Sequence, residues 1–503
     1  ALDLEGAGSD LILSMWANGD FTGTQRSYDR YSADALNVQH AGRREFVSAL
    51  YGAVRHVIDP DANEIGLFGA DPVGQQTVAG SRADGTALTD LITKVAATGI
   101  IADGTTAGIA NQWRRRHLPD PVVADSLYAG AAPSISTAQT TTPTTGYIRY
   151  SPAGVALSGS DVTGPFTFLG AGNFQIGTGT PDSGNVLPTS RYPWTRGTLT
   201  SSQAVWSLEF GTDAQAFQLR FNYQAAGMYR LSVAGRKFTD LMQAVGGTTP
   251  GNTHLMTIDL GSAAPRVIRL DFYTVPFGGI YLPPTATMWS TVPNGGRIMV
   301  LGDSISDGSQ YNAGGGAGTW FHRAARLLGS NDAWDEGRGG TGYISPGTNP
   351  VYVTFADRLA TDIVAWNPSR LIVWGGYNDN QGSQSAIGTA ADSLYAAIKA
   401  GLPSCEVYVL GCWSPTGSPG ASLTNTDATL RTAAATAKLP FISPITGSGY
   451  DAAGALVATH GAFITTANAS AYVAAGDSIH PTDAGHIYLS RRITAAIRQL
   501  MPA

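Results

Sequence analysis

The sequence predicts a chain of mixed class. An α/β domain with a parallel sheet lies at the C-terminus, preceded by an antiparallel β-sandwich and a small N-terminal region. Three observations carry this reading. The apolar runs Ile298-Met299-Val300-Leu301 and Leu371-Ile372-Val373-Trp374 are continuous, as in strands buried on both faces. Stretches of helical period alternate with such runs from about 293 onward. Between about 147 and 292 the period is two instead: Phe217, Leu219, Phe221 and Tyr223 alternate, as do Tyr229, Leu231 and Val233, and Ile268, Leu270 and Phe272.

At 503 residues the chain exceeds one ordinary core, so roughly two to four domains are expected. Charged residues make up only 14%, and glycine is abundant at 62 residues, which suits a β-containing extracellular or virion protein. A net charge of −6 leaves no basic footprint, so nucleic acid is not an expected partner. No apolar run reaches the length of a membrane span, and the start shows no signal-peptide pattern. Cys405 and Cys412 lie at the two ends of one apparent strand, too far apart to bridge. No His/Cys/Asp constellation has metal spacing, and no phosphate-binding glycine loop occurs, so neither metal nor cofactor is expected.

Residues 1–129 form the N-terminal region. Glu45–Val54 reads as a short amphipathic helix with Phe46, Leu50 and Val54 on one face. A second helix is expected from about Thr86 to Thr98, with Leu88, Leu91, Ile92 and Val95 as its stripe and Gly99 at C′. Arg114-Arg115-Arg116 reads as a solvated face. Residues 130–146 are rich in Ala, Ser, Thr and Pro and read as a linker. The sandwich spans 147–292, where Tyr192, Trp194 and Trp206 are candidates to stack on sugar rings, against the plainer reading that they are core.

The α/β domain spans 293–503. The strand at 297–301 leads to Gly302-Asp303-Ser304. A serine just past the C-terminal end of a parallel strand sits where open α/β sheets place their ligands. Its hydroxyl needs a base, the base an orienting group, and the tetrahedral intermediate needs donors for its oxyanion. The chain supplies Asp477 and His480 three residues apart in Gly476-Asp477-Ser478-Ile479-His480-Pro481. It also supplies glycine N–H groups in Arg338-Gly339-Gly340-Thr341-Gly342 and an amide in Tyr377-Asn378-Asp379. Further elements are a helix from Trp320 to Leu328, a helix over 393–400, strands at 407–410 and within 439–445, and a last helix from about Asp483 to Met501. No Gly-x-Ser-x-Gly elbow is present.

These four blocks, in this order, resemble the SGNH (GDSL-like) hydrolase family. The resemblance implies a flavodoxin-like hydrolase domain with Ser304 as nucleophile, His480 as base and Asp477 as its partner. Ser304, Gly340 and Asn378 would form the oxyanion hole, with Gly339 and Gly342 on the same loop as Gly340. Some family members acting on polysaccharide carry a jelly-roll domain just upstream, which the sandwich resembles. Upstream again, Phe68-Gly69, Pro72-Val73, Gln75-Gln76, Gly80-Ser81-Arg82 and Gly99-Ile100-Ile101-Ala102-Asp103 resemble a recurrent segment of bacteriophage tail proteins.

The expected function is therefore a serine esterase removing O-acetyl groups from a bacterial surface polysaccharide, on a phage tail or outside the cell. Other tail proteins would be partners. Fibre and spike proteins are often trimers, although no coiled-coil heptads appear here. The alternatives are a secreted lipase or general carboxylesterase, and a receptor-binding tail protein without turnover.

Overall fold

The computed structural model describes residues 126–152, 161–177, 184–190, 205–348 and 353–501, together with the backbone of seven strands between Leu2 and Leu67. The chain falls into two compact units, one holding residues 1–116 and the other His117–Met501.

In the first unit, Leu2–Ala7, Asp10–Trp16, Gln25–Tyr31 and Leu36–Gln39 form a four-stranded antiparallel meander. Arg44–Val47, Val54–Asp59 and Glu64–Leu67 form a second, of three strands. The helix expected over Glu45–Val54 is therefore replaced by two paired strands. Val47, Val54, Val57 and Ile58 are β-branched, which favours the pleated backbone over the helix. The helix expected from Thr86 to Thr98, and Arg114–Arg116, lie outside the described residues.

The second unit opens with two sheets packed face to face. One runs in the order Val162–Gly164, Ile148–Pro152, Phe277–Leu282, Ala216–Asn222, Thr253–Asp259, Ser134–Ala138. The other runs Thr167–Leu169, Trp206–Thr212, Arg266–Tyr273, Met228–Val233, Arg236–Lys237. All but one of these neighbouring pairs are antiparallel; Val162–Gly164 lies parallel to Ile148–Pro152. The alternating residues face inward, as the period of two requires: Phe217, Leu219, Leu231, Ile268, Leu270 and Phe272 share one buried core. The stretch 130–146 is not a free linker, because Ser134–Ala138 pairs with Thr253–Asp259 as an edge strand. Its Ser/Ile/Thr composition suits an exposed strand as well as a spacer.

The outer face of the second sheet is polar and yet buried. Ser207, Glu209, Arg230, Ser232 and Asp271 are all under 10% exposed, because this face docks on the α/β domain. Arg323 of the helix Trp320–Leu327 makes a two-pronged bond to Asp240, both contacts at 2.7 Å. Arg230 donates to the Ala317 carbonyl at 2.8 Å, and Arg269 to the Asn331 carbonyl at 2.6 Å. Burial alone would raise the Asp271 carboxyl, but the Arg269 and Arg230 guanidinia hold it well below the usual range. His322 at the same joint is pushed down to about 3 by burial, so it is neutral.

The α/β domain has the strand order Asp332–Gly337, Arg297–Gly302, Arg370–Trp374, Glu406–Leu410, Phe441–Ile442. All four pairings are parallel, giving the 2-1-3-4-5 order of flavodoxin-like sheets. Ser448–Tyr450 and Leu456–Thr459 extend it as an antiparallel edge. Successive residues of the central strands enter opposite layers. Ile298, Val300 and Ile372 pack on Trp320–Leu327 and the last helix, Asp483–Leu500. Met299, Leu301, Leu371 and Val373 pack on Phe355–Asp362, Gln384–Gly401 and Ala421–Thr436. Among the described residues no helix is long and apolar enough to cross a membrane, and Cys405 and Cys412 are unbridged.

Candidate active site

The strand Arg297–Gly302 ends at Asp303, which caps a one-turn helix, Ser304–Asp307. The Asp303 Oδ1 accepts from the Ile305 N–H at 2.9 Å, which sets Ser304 at the first helical position. The Ser304 hydroxyl then sits just above the C-terminal edge of the parallel sheet.

The base comes from the loop before the last helix. Asp477 Oδ1 accepts from the N–H groups of Ile479 and His480, at 2.9 and 3.1 Å, so the carboxylate folds its own loop into a turn. Ser478 takes a positive φ of 58° to close it. The other oxygen, Oδ2, lies 2.5 Å from His480 Nδ1. His480 Nε2 lies 2.8 Å from Ser304 Oγ. A carboxylate at Nδ1 holds the Nδ1–H tautomer, which leaves Nε2 free to accept the serine proton. Burial works against the Asp477 charge, but the bonds from His480 and the loop N–H groups outweigh it and hold the carboxyl below its usual value. The His480 and Asp477 side chains keep 21% and 23% exposure, so substrate and water can reach them.

Two further loops face the serine. The N–H groups of Ser304 and Gly340 meet no acceptor among the described residues, and Gly340 has a φ of +78°. On the neighbouring Gly339, a Cβ would fall 3.7 Å from that of Ser304. The Asn378 amide Nδ2 donates to the Thr341 carbonyl at 3.0 Å and to Asp303 Oδ2 at 3.2 Å. Both of its hydrogens are thus engaged in the resting site. Burial, and the nearby Asp379 charge, push the Asp303 carboxyl up to about 7.

Several supporting residues escaped the sequence reading. Asp379 accepts from the N–H groups of Tyr343, Ile344 and Ser345, at 2.9 to 3.0 Å, and so ties the glycine loop to the asparagine loop. Arg358, wholly buried, donates to the carbonyls of Gly302 at 2.7 Å and Glu336 at 2.5 Å, where the two strands end. Its partner Asp362 also bonds Arg338. Asp483 accepts from the N–H groups of Ala313 and Gly314, at 3.0 and 2.8 Å. This anchors the loop that carries Tyr311, whose ring lies so close to Gly476 that a Cβ there would come within 2.6 Å of it. None of these has a local motif; each depends on which loops the sheet brings together. His486 accepts from the Trp320 N–H at 3.1 Å and is pushed down to about 3 by burial, a structural role. Trp413 Nε1 donates to the Ile479 carbonyl at 2.9 Å beside His480.

The aromatic candidates fare differently. Trp206 is 1% exposed and packs against Phe272 and Phe174 inside the sandwich, so it offers no face to a sugar. Its place on the inward phase of Trp206–Thr212 decides this. Tyr192 and Trp194 lie outside the described residues.

Residues 300–487 match the family model described as GDSL-like Lipase/Acylhydrolase family. No curated protein matches the chain. Among solved structures, the salicylyl-acyltransferase SsfX3 from a tetracycline biosynthetic pathway is similar at 14% identity, covering 72% of this chain and 99% of its own, with a TM-score of 0.52. That likeness is one of fold. An active-site mutant of a family two carbohydrate esterase from Clostridium thermocellum is 14% identical over 67% of this chain and 98% of its own, with a TM-score of 0.45. The acetyl xylan esterase Est2A from Butyrivibrio proteoclasticus is 13% identical over 59% and 90%, with a TM-score of 0.38. With the motif blocks gathered at one sheet edge and the family model spanning them, the C-terminal part of this chain is a GDSL-like lipase/acylhydrolase (SGNH) domain.

Proposed function

We propose that the protein is a serine esterase that removes O-acetyl groups from a bacterial surface polysaccharide. The observation that carries this is the unbroken line from Asp477 Oδ2 through the His480 ring to Ser304 Oγ, with contacts of 2.5 and 2.8 Å. His480 Nε2 takes the Ser304 proton as Oγ attacks the acetyl carbonyl. Asp477 holds the ring and stabilises the imidazolium. The free N–H groups of Ser304 and Gly340 receive the oxyanion, joined by the Asn378 amide as it exchanges its longer contact, to Asp303, for the substrate oxygen. His480 then protonates the leaving sugar oxygen. Water, deprotonated by the same imidazole, releases acetate and restores Ser304.

The polar, partly open surroundings support the small acyl group: Asp303, Asn378 and Tyr311 flank the site, and the catalytic pair is one-fifth exposed. The adjoining sandwich supports a polymeric substrate. The tail-like segment at residues 68–103 supports a place on a virion tail, where such an enzyme would act during adsorption. The test compares hydrolysis of p-nitrophenyl acetate and octanoate by wild type and Ser304→Ala, followed by acetate release from acetylated bacterial polysaccharides. Acetate turnover that vanishes in the variant is expected. Preference for octanoate would replace this reading with a lipase, and no turnover on any ester or polymer would replace it with a binding protein.

A further inference from the structure

A second cleft, of about 490 Å³, opens between the sandwich and the hydrolase domain. Its lining includes Asn294 and Asn331, which stand just before the strands Arg297–Gly302 and Asp332–Gly337. It therefore lies at the N-terminal edge of the parallel sheet, whereas Ser304 lies at the C-terminal edge. Six residues of strand at about 3.3 Å each separate them, roughly 20 Å. The catalytic machinery does not reach it.

The wall chemistry is specific. Trp289 pairs with Gly211 on the strand Trp206–Thr212, and a Cβ on Gly211 would fall 2.0 Å from the indole nitrogen. The ring thus lies against bare backbone and presents its remaining surface to the cleft, where it is only partly buried. Beside it, Glu209 is already occupied by Arg269 and Asn331. Arg326 donates to the Gly235 carbonyl, and among the described residues no carboxylate bridges to it, although the Asp271 and Glu209 charges act on it from nearby. Burial and the neighbouring Arg230 and Arg269 charges bring it down to about 10, so it stays cationic at neutral pH. Asn294, exposed at the rim, offers an amide.

From this juxtaposition we infer that the cleft is a non-catalytic binding site for an acidic polysaccharide, with Trp289 stacking on a sugar face and Arg326 pairing with a uronate carboxylate. An aromatic plane supplies sequence-tolerant area to a pyranose ring, and a guanidinium in a partly desolvated cleft recognises a planar carboxylate. This deepens the polysaccharide reading and rests on it for the class of polymer. It gives that polymer a hold remote from the chemistry, so that a chain can stay bound while successive acetyl groups are presented to Ser304.

The test is affinity electrophoresis of the full chain carrying Ser304→Ala through gels containing polygalacturonate, alginate or dextran. Retardation by at least one uronate polymer and not by dextran is expected. Trp289→Ala and, separately, Arg326→Gln in that background should each weaken it about tenfold. Circular dichroism melting reports folding; if Trp289→Ala melts early, Trp289→Phe, which keeps a ring, should bind where Arg326→Gln does not. No retardation by either uronate polymer overturns the inference. So does equal retardation by dextran, or retardation that both variants leave unchanged. Binding without acetate release by the wild type would sink the esterase reading alone; acetate release without binding would sink this one alone.

Discussion

Replacing Asp427 by asparagine is expected to stabilise the protein near pH 8 and to change little near pH 4. Asp427 sits on the helix Ala421–Thr436 and is 7% exposed. One oxygen accepts from the Cys412 N–H at 3.0 Å, the other from the Ser443 hydroxyl at 2.8 Å. Burial outweighs both bonds and pushes the carboxyl from 3.8 up to about 6. The folded state therefore binds the proton more tightly than the unfolded chain does. The associated stability is fully present below about pH 4 and is lost as the pH rises through 6. Two pH units correspond to about 3 kcal/mol of cost once the carboxylate is ionised. Asparagine keeps an acceptor for Cys412 and turns an amide toward Ser443, without the charge. For a unit of this size the gain near pH 8 should appear as about 3–6 °C in Tm. Thermal unfolding of wild type and Asp427→Asn at the two pH values measures it. A variant less stable near pH 8, or a gain of equal size at both pH values, would refute the reasoning. Asp427→Ala serves as contrast: it strands the buried Cys412 N–H and should lower stability at both.

Three further outcomes concern the site. Asn378→Ala should lower kcat/KM for p-nitrophenyl acetate by about 100-fold or more, roughly 3 kcal/mol of lost oxyanion stabilisation, with the fold intact by circular dichroism; an unchanged kcat/KM would remove Asn378 from the mechanism. Asp477→Asn should lower kcat by about three to four orders of magnitude, because an amide can present an N–H to Nδ1 and reverse the tautomer. Asp483→Ala removes the acceptor for Ala313 and Gly314, and should release the Tyr311 loop, raising KM more than it lowers kcat; steady-state kinetics with Asp483→Asn, which keeps one acceptor oxygen, should show partial recovery.

The sequence displayed what is decided locally. Ile298–Leu301 and Leu371–Trp374 are apolar on both phases, short and followed by glycine, which suits strands covered on both faces. Asp477 and His480 lie in one turn, so their pairing needs no distant partner. What stayed hidden depends on contacts between distant segments. The strand Asp332–Gly337 carries three acidic residues and resembles a loop, yet it is wholly buried. Burial pushes the Asp335 and Glu336 carboxyls well up, which lowers the cost of holding them inside the sheet. Arg358 bonds the ends of two strands from a helix whose pattern gave no signal. Ala421–Thr436 is rich in Thr and Ala and has little apolar contrast. Trp206 could be read as core or as a sugar platform because composition alone does not fix the phase of a strand; its pairing with Arg266–Tyr273 sets it inward, the plainer of the two readings.

The polar outer face of the second sheet has a consequence for how this enzyme can be cut or recombined. A family match over residues 300–487 invites expression of that stretch by itself. Such a fragment would put His322 and Arg323, now 4% and 3% exposed, into water on the flank of the helix that supports the nucleophile strand. It would also lose the Met242 N–H bonded to the Gly314 carbonyl and the Leu241 side chain packed on Gly314, which brace the Tyr311 loop from outside. The sandwich is thus a template on which part of the catalytic rim is shaped, and a hydrolase cassette moved without it would carry its chemistry but leave one wall of the site behind.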